Sequence, residues 1–366
     1  MKLKRETAIP FALMVLMEGF TSALTITAGW AMDKGMNQFV FVAYSNALSS
    51  VILLPYSLIF HKDSLTQLLN FRILGRFFLL GLIGVSIAQN LAFTGLRLSS
   101  PIVACGMGLL LPSFQFVLAL ILRKMRLNLR NSSIQIMILG AMISVVGAVV
   151  ISFYKGPSIL QNPIKFHPHV LQGKQSLELL MFNAISAEEH WVVGGILLLL
   201  ATFFIAVWGI IQVSTINKFP DMMLIVTSYI ICGTLQTTVV DILAERNLSA
   251  WKLQLNYELA IIVSTAIFGT LIRSRVQAWC MTSKGPMYVS MFKPFGIFWS
   301  CVINLTFFGS SLHYGSVLGA SIVGMGYFTV LWGIRREDEG KKDPQSLSSS
   351  GSDMKVPLLQ DLDDQV

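Results

Sequence analysis

Four charged side chains stand inside long apolar stretches of this sequence: Glu18, Arg273, Arg275 and Lys293. A charge surrounded by hydrocarbon is costly, so such groups point to the handling of a solute or ion. Lys293 lies in KGPMYVSMFKPF (284–295). A helix starting after Pro286 would put it about 9 Å deep by helical rise. Two readings stay open for it: the stem lifts the ammonium to the headgroups, or the ammonium faces an interior. Glu18 is about 14 Å into its helix from the same side. Its stem is too short to escape, so an interior place is expected, with a bound proton as one way to lower the cost. The two depths differ by only about 5 Å, which allows an ion pair. Such a pair would form a polar floor for an anionic or zwitterionic solute, whose carboxylate takes the ammonium while Glu18 takes a proton.

Arg273 and Arg275 are two residues apart and project to different sides of a helix. One would anchor at the interface near Trp279 and one would face inward, with Arg275 as the pathway candidate. Gln89, Asn90 and Gln277 are neutral donors and acceptors, suited equally to a polar cavity and to hydrogen bonds between helices. Pro112 and Pro294 sit inside apolar runs, where a proline frees the carbonyl four residues before it, here Gly108 and Ser290. In lipid such carbonyls need a protein or water partner, so both runs should face a polar interior.

Other chemistry is sparse. There is no phosphate-binding G-x-x-x-x-G-K-[ST] loop. His167 and His169 form an isolated pair in a loop. Cys105, Cys232, Cys280 and Cys301 all fall within apolar runs, which excludes a disulfide framework or zinc ribbon in the loops. The runs offer one carboxylate, Glu18, and no histidine, which does not favour a membrane-embedded enzyme. No cofactor or metal is expected.

The elements that must position these residues follow from composition. Of 366 residues, 54% are hydrophobic and 13% charged, a balance outside the range of soluble domains and typical of a multi-pass membrane protein. Ten charge-poor runs approach or exceed the roughly 20 residues that cross a bilayer: 9–31, 39–60, 77–96, 102–122, 134–153, 191–216, 222–240, 259–281, 287–308 and 314–334. With the N-terminus in the cytosol, seventeen of the 27 lysines and arginines fall on the cytosolic side, seven opposite and three inside runs. That bias returns both termini to the cytosol and explains the net charge of +8 without a nucleic-acid partner. The long segment 155–190 is then a non-cytosolic loop, and the polar, low-complexity stretch 336–366 a disordered cytosolic tail.

An internal repeat is visible. LGAMISVVGAVV (139–150) aligns without gaps to LGASIVGMGYFT (318–329). Upstream of each lies a run that opens with proline, Pro101 or Pro286, and holds a second, Pro112 or Pro294. Five helices per half force the second half in from the opposite side, an inverted repeat with a midplane site between the halves. The expected fold is an all-α integral membrane protein of ten transmembrane helices, with five-helix repeats at 8–154 and 191–335. Small residues at four-residue spacing, Gly140 and Ser144, Gly315 and Gly319, with Ala320 and Gly324, are expected to pack helix against helix.

The stretches LRLSSPIVACGMGLLLPSFQFVLALILR, VQAWCMTSKGPMYVSMFKPF and GSVLGASIVGMGYFTVLWG closely resemble the plant walls-are-thin-related (UMAMIT) proteins. These belong to the EamA-like branch of the drug/metabolite transporter superfamily. The resemblance implies a carrier that exports or facilitates the movement of amino acids, auxin-related compounds or other small organic metabolites. The partners it implies are a small-molecule solute, with protons as a candidate coupling ion, and the lipid bilayer of the plasma or vacuolar membrane. The chain departs from its relatives at Met125 and Ser310, where they often carry an acidic residue. A channel or a membrane-embedded enzyme is the alternative function, and the oligomeric state is not legible.

Overall fold

The computed structural model describes residues 2–60, 71–122, 132–154, 156–160, 187–216, 222–247, 249–253, 256–284, 288–289, 291–303, 306 and 312–342. Met125, Asn131, His167, His169, Pro286, Ser290, Asn304 and Ser310 lie outside them. Apart from one short ladder, the regular structure is helical. The helices are α1 (Lys2–Asp33), α2 (Gln38–Phe60), α3 (Phe71–Leu98), α4 (Pro101–Ile121), α5 (Ser132–Phe153), α6 (Ala187–Ile216), α7 (Met222–Ala244), α8 (Tyr257–Lys284), α9 (Phe295–Ile303) and α10 (Tyr314–Lys342). Eight of them, all but α8 and α9, are long and apolar enough to cross a membrane. Strands β1 (Ser158–Leu160) and β2 (Leu312–His313) pair antiparallel.

Chain ends meet as alternate crossing requires. Asn37 Nδ2 donates to Glu245 Oε2 at 2.7 Å, Arg97 Nη1 to Gln38 Oε1 at 2.6 Å, and Tyr44 Oη to the Trp251 carbonyl at 2.9 Å. These contacts tie the α1–α2, α3–α4 and α7–α8 connections at one end of the molecule. The β1–β2 ladder ties the segment after α5 to the one before α10, and Trp191 Nε1 reaches the Ile151 carbonyl at 3.1 Å. Elsewhere, Arg76 Nη1 donates to the Ser214 carbonyl at 3.1 Å, joining the start of α3 to the end of α6.

The seam between α5 and α10 follows from its small residues. A Cβ added at Gly140 would lie 2.7 Å from Val330 N, and one at Gly319 2.8 Å from Ile151 N. Likewise a Cβ at Gly147 would lie 2.6 Å from Val323 N, and one at Gly326 2.6 Å from Ser144 N. Under the ungapped alignment of 139–150 with 318–329 these contacts exchange in pairs, so the antiparallel seam is two-fold symmetric. The opposite faces carry exposed Leu139, Met142, Val146 and Val149 on α5 and Leu318, Met325 and Trp332 on α10, the apolar surface that lipid would cover. Of the small residues expected in the seam, Gly140, Ser144 and Gly319 are there. Gly315 instead meets Gly156 in the loop, and Gly324 approaches Leu109 of α4.

Two pairs of helices are interrupted alike. In α3 the stretch Gly81–Ile87 is π-helical, and in α8 so is Thr265–Ile272. In α4, Ser100 caps Pro101–Gly108 and the chain breaks at Leu109 and Leu110, which bond back to Gly106 and Met107 at 3.1 and 3.0 Å. A second segment then runs from Leu111. Residues 291–294 form a comparable turn before α9, with Phe295 N bonding Phe292 O at 3.0 Å and Gly296 N bonding Lys293 O at 3.0 Å.

This corrects the expectation that Pro112 and Pro294 lie inside continuous helices. Pro112 opens the second segment of the broken α4, and Pro294 ends the turn that leads into α9, positions where a proline's missing N–H has no intrahelical acceptor to lose. Helix α10 continues to Lys342, so residues 336–342, expected in the tail, are helical. Likewise α6 begins at Ala187, within the segment expected to be loop.

Candidate functional site

Glu18 sits midway along α1, and its side chain is only 6% exposed. The turn before α9 presents Lys293 to it, and Lys293 Nζ donates to Glu18 Oε1 at 2.9 Å. One helical turn along α1, Ser22 Oγ donates to the Gly296 carbonyl at 2.8 Å. A Cβ on Gly296 would lie 3.5 Å from Ser22 Oγ and 3.7 Å from Glu18 Oε2, ordinary contact distances that place Gly296 directly against both side chains. At Gly19 a Cβ would stand 3.2 Å from the Trp299 indole, closer than an ordinary contact, so the glycine gives the indole its room.

Of the two readings open for Lys293, the structure has the ammonium turned inward. Lys293 is held by the buried Glu18 while 25% of its own side chain stays exposed. Cys105 of α4 and Tyr327 of α10 are near enough to Glu18 to feel its charge. The buried Ser300 hydroxyl and Trp299 Nε1 have no hydrogen-bond partner and belong to the same α9 wall. An ammonium already held by a carboxylate, beside unused neutral donors, can bind a second carboxylate by exchanging one partner for another.

Arg273, rather than Arg275, is the arginine near this group: it lies within electrostatic reach of Lys293, while Arg275 is exposed. Trp279 is 45% exposed, as an interfacial aromatic would be. Gln277 is partly buried on α8, and Pro112 is buried at its helix break.

Gln89 and Asn90 belong to a different polar cluster, built by α2, α3 and α7. Asn46 Nδ2 donates to Gln89 Oε1 at 2.7 Å, and Ser50 and Thr234 share a hydrogen bond of 2.8 Å. Asn90 Nδ2 faces Ser86 O at 3.0 Å, Thr237 Oγ1 at 3.1 Å and Asp241 Oδ1 at 2.8 Å. Thr237 Oγ1 donates to Asp241 Oδ2 at 3.0 Å. Asp241 is wholly buried. Sequence reasoning ended the seventh run at Val240 and counted one intramembrane carboxylate, whereas α7 continues to Ala244 and contains a second. The available signal was Thr237, one helical turn earlier on the same face as Asp241. Among the described residues no group of three or more histidine, cysteine or acidic side chains could hold a metal ion.

No protein-family model matches the chain. A solved crystal structure that is 13% identical superposes with a TM-score of 0.50, covering 89% of this chain and 97% of that one, a likeness of fold alone. Two WAT1-related proteins of Arabidopsis thaliana are 42% identical over 98% of this chain and 97% of theirs, and 43% identical over 97% and 96%. A third is 35% identical over 90% and 88%. With likeness of that degree along nearly its whole length, the chain belongs to the plant WAT1-related family of multi-pass membrane proteins.

Proposed function

We propose that this protein is a secondary transporter, an exporter or facilitator of small organic metabolites such as amino acids or auxin-related compounds, in the plasma or vacuolar membrane. In this reading the chain crosses the membrane ten times as two inverted five-helix halves, with both termini in the cytosol, and works by alternating access. The two-fold α5–α10 seam, the matched breaks before Pro112 and Pro294, and the matched π-helical stretches of α3 and α8 support the inverted halves. Broken helices at related places favour a carrier over a channel, which would call for rings of charge or a carbonyl filter.

One observation carries the reading: an ion pair between the buried Glu18 and a partly exposed Lys293, held at the turn before α9. A lone intramembrane ammonium would be too costly to keep, and a fully enclosed pair would be inert. A pair whose lysine is partly exposed can exchange its carboxylate for that of an anionic or zwitterionic solute. Family membership supports the same class of function.

The test is solute counterflow in proteoliposomes with an amino-acid panel and an auxin-like carboxylic acid. Saturable counterflow of at least one carboxylate-bearing solute is expected. Lys293→Met should lower it at least tenfold while the protein remains correctly inserted. Counterflow at the normal rate in Lys293→Met would exclude the lysine from the pathway.

A further inference from the structure

We propose that Asp241 is a proton-binding site, loaded from the α7–α8 end of the molecule, and that its proton is exchanged in step with solute movement. The argument begins with charge balance. Glu18 has a cation partner in Lys293. Asp241 is wholly buried within an apolar helix, and the partners of its two oxygens are the neutral Asn90 amide and Thr237 hydroxyl. The sequence-level reading gave the proton to Glu18; the geometry moves it to the carboxyl that lacks a cation.

Charged and titratable groups on the surrounding elements are engaged elsewhere. Arg97 of α3 donates to Gln38, Glu245 at the end of α7 accepts from Asn37, and Tyr44 of α2 donates to the Trp251 carbonyl. Tyr229, three turns away on α7, packs its ring against Trp208 of α6. An ionised carboxylate offers roughly four lone-pair positions, and here one donor serves each oxygen. Burial without a cation or a full set of donors makes the charged form expensive, and a bound proton removes that cost.

The second observation is an orphan acceptor beside it. Asn90 is 8% exposed, and its Oδ1 has no donor, because the amide has turned its nitrogen toward the carboxyl. Taking up one proton at Oδ1 of Asp241 creates an O–H donor, and a half-turn of the Asn90 amide would bring its oxygen round to accept from it. The cluster thus has two hydrogen-bonded arrangements that differ by one proton and one amide rotation. Asp241 lies one turn before the end of α7, next to the Glu245–Trp251 loop, so the proton's route to water is short. The site lies just beyond the π-helical stretch of α3, where Asn90 of α3 and Asp241 of α7 join the two helices. A changed charge there acts directly on the contact between those two helices.

The link to solute rests on the transporter reading, so two measurements are needed. Infrared spectra of the purified protein at pH 7 should contain a neutral-carboxyl band that shifts in heavy water. The band should be absent from Asp241→Asn and displaced in Asp241→Glu. This arm needs no transport, and a band unchanged in both variants would overturn the site. In proteoliposomes, a one-unit pH step imposed in each direction in turn should drive up to about tenfold solute accumulation in one of them, because one pH unit per proton is a factor of ten. Asp241→Asn should abolish the ratio of accumulation with the step to that without it, a reading that a general loss of rate does not move. Accumulation driven by a sodium gradient, or an unchanged pH-driven ratio in Asp241→Asn, would overturn the coupling while leaving the carrier in place. Absence of counterflow in the wild type would instead sink the transporter reading and leave the infrared result to decide the site.

Discussion

Replacing Lys293 by methionine keeps the length of the side chain and removes its charge, leaving Glu18 with two routes. It can stay ionised and unpaired, which costs about 3–5 kcal/mol in a buried site. Alternatively it can take a proton, which removes the buried charge. The cheaper route sets the penalty. Because a quarter of the Lys293 side chain is open, the net loss should be about 2–3 kcal/mol. For a chain of this length that is a fall of roughly 3–5 °C in melting temperature, read by tryptophan fluorescence in detergent. Glu18→Gln together with Lys293→Met should recover most of it, giving a coupling of about 2 kcal/mol in the double-mutant cycle. A carboxylate that has lost its cation is neutralised more readily in acid, so the single variant should gain on the wild type as pH falls. Additive losses in the cycle, or a penalty independent of pH, would refute the ion-pair account.

Gly326→Val should lower the yield of folded protein severely, because even a Cβ there would lie 2.6 Å from both Ser144 N and the Gly140 carbonyl, backbone atoms that cannot yield. Gly75→Ala, with nothing within 4 Å, should be neutral in the same expression and melting assay. An epitope after Val366 should resist protease added outside sealed right-side-out vesicles, and digestion there would overturn the topology. Of the glycosylation sequons at Asn131, Asn247 and Asn304, a glycan on Asn131 would do the same, since only Asn247 lies on the non-cytosolic side of that topology.

The sequence revealed most of the elements because length and hydropathy set them: α1, α2, α5, α6 and α10 follow their apolar runs closely at the apolar ends. Inward and outward faces of α5 were legible for the same reason, since glycines at close spacing leave only one face that can approach another helix. What hydropathy cannot register is the backbone between turns. The breaks at Leu109–Leu110 and 291–294, and the π-helical stretches of α3 and α8, carry no apolar signature, since the residues on either side are equally hydrophobic. Proline marked the two breaks but was read as interior, because one run gives no sign that a helix stops and restarts within it. Asp241 escaped through a related cause, in that an apolar window is closed by the very residue whose burial makes it important. Arg275 was taken over Arg273 because a spacing of two says that the faces differ without saying which one is inside.

In the inverted-repeat reading the two halves share backbone features without sharing the chemistry of the ion pair, and the way they differ bears on how the carrier would work. Setting Pro112 against Pro294 puts Leu111 where the second half has Lys293, and Phe114 where it has Gly296. Taking the Phe114–Phe203 contact between α4 and α6, with ring centroids 5.7 Å apart, as the counterpart of Ser22 on Gly296 sets Phe203 against Ser22. Glu18 lies four residues before Ser22, and Leu199 lies four before Phe203, so the counterpart of the ion pair is Leu199 and Leu111, two apolar side chains. Glycine contacts, helix breaks and π-helical stretches, all backbone features, are shared. A symmetric backbone lets inward-open and outward-open arrangements have similar energies, as alternating access needs. Repeating the ion pair would instead give two competing sites and a second desolvation cost. Introducing Leu111→Lys with Leu199→Glu would test this: a second charged floor should trap solute, lowering the maximal counterflow rate more than apparent affinity. A variant that matched the wild type in both would show that the asymmetry of charge has no part in turnover.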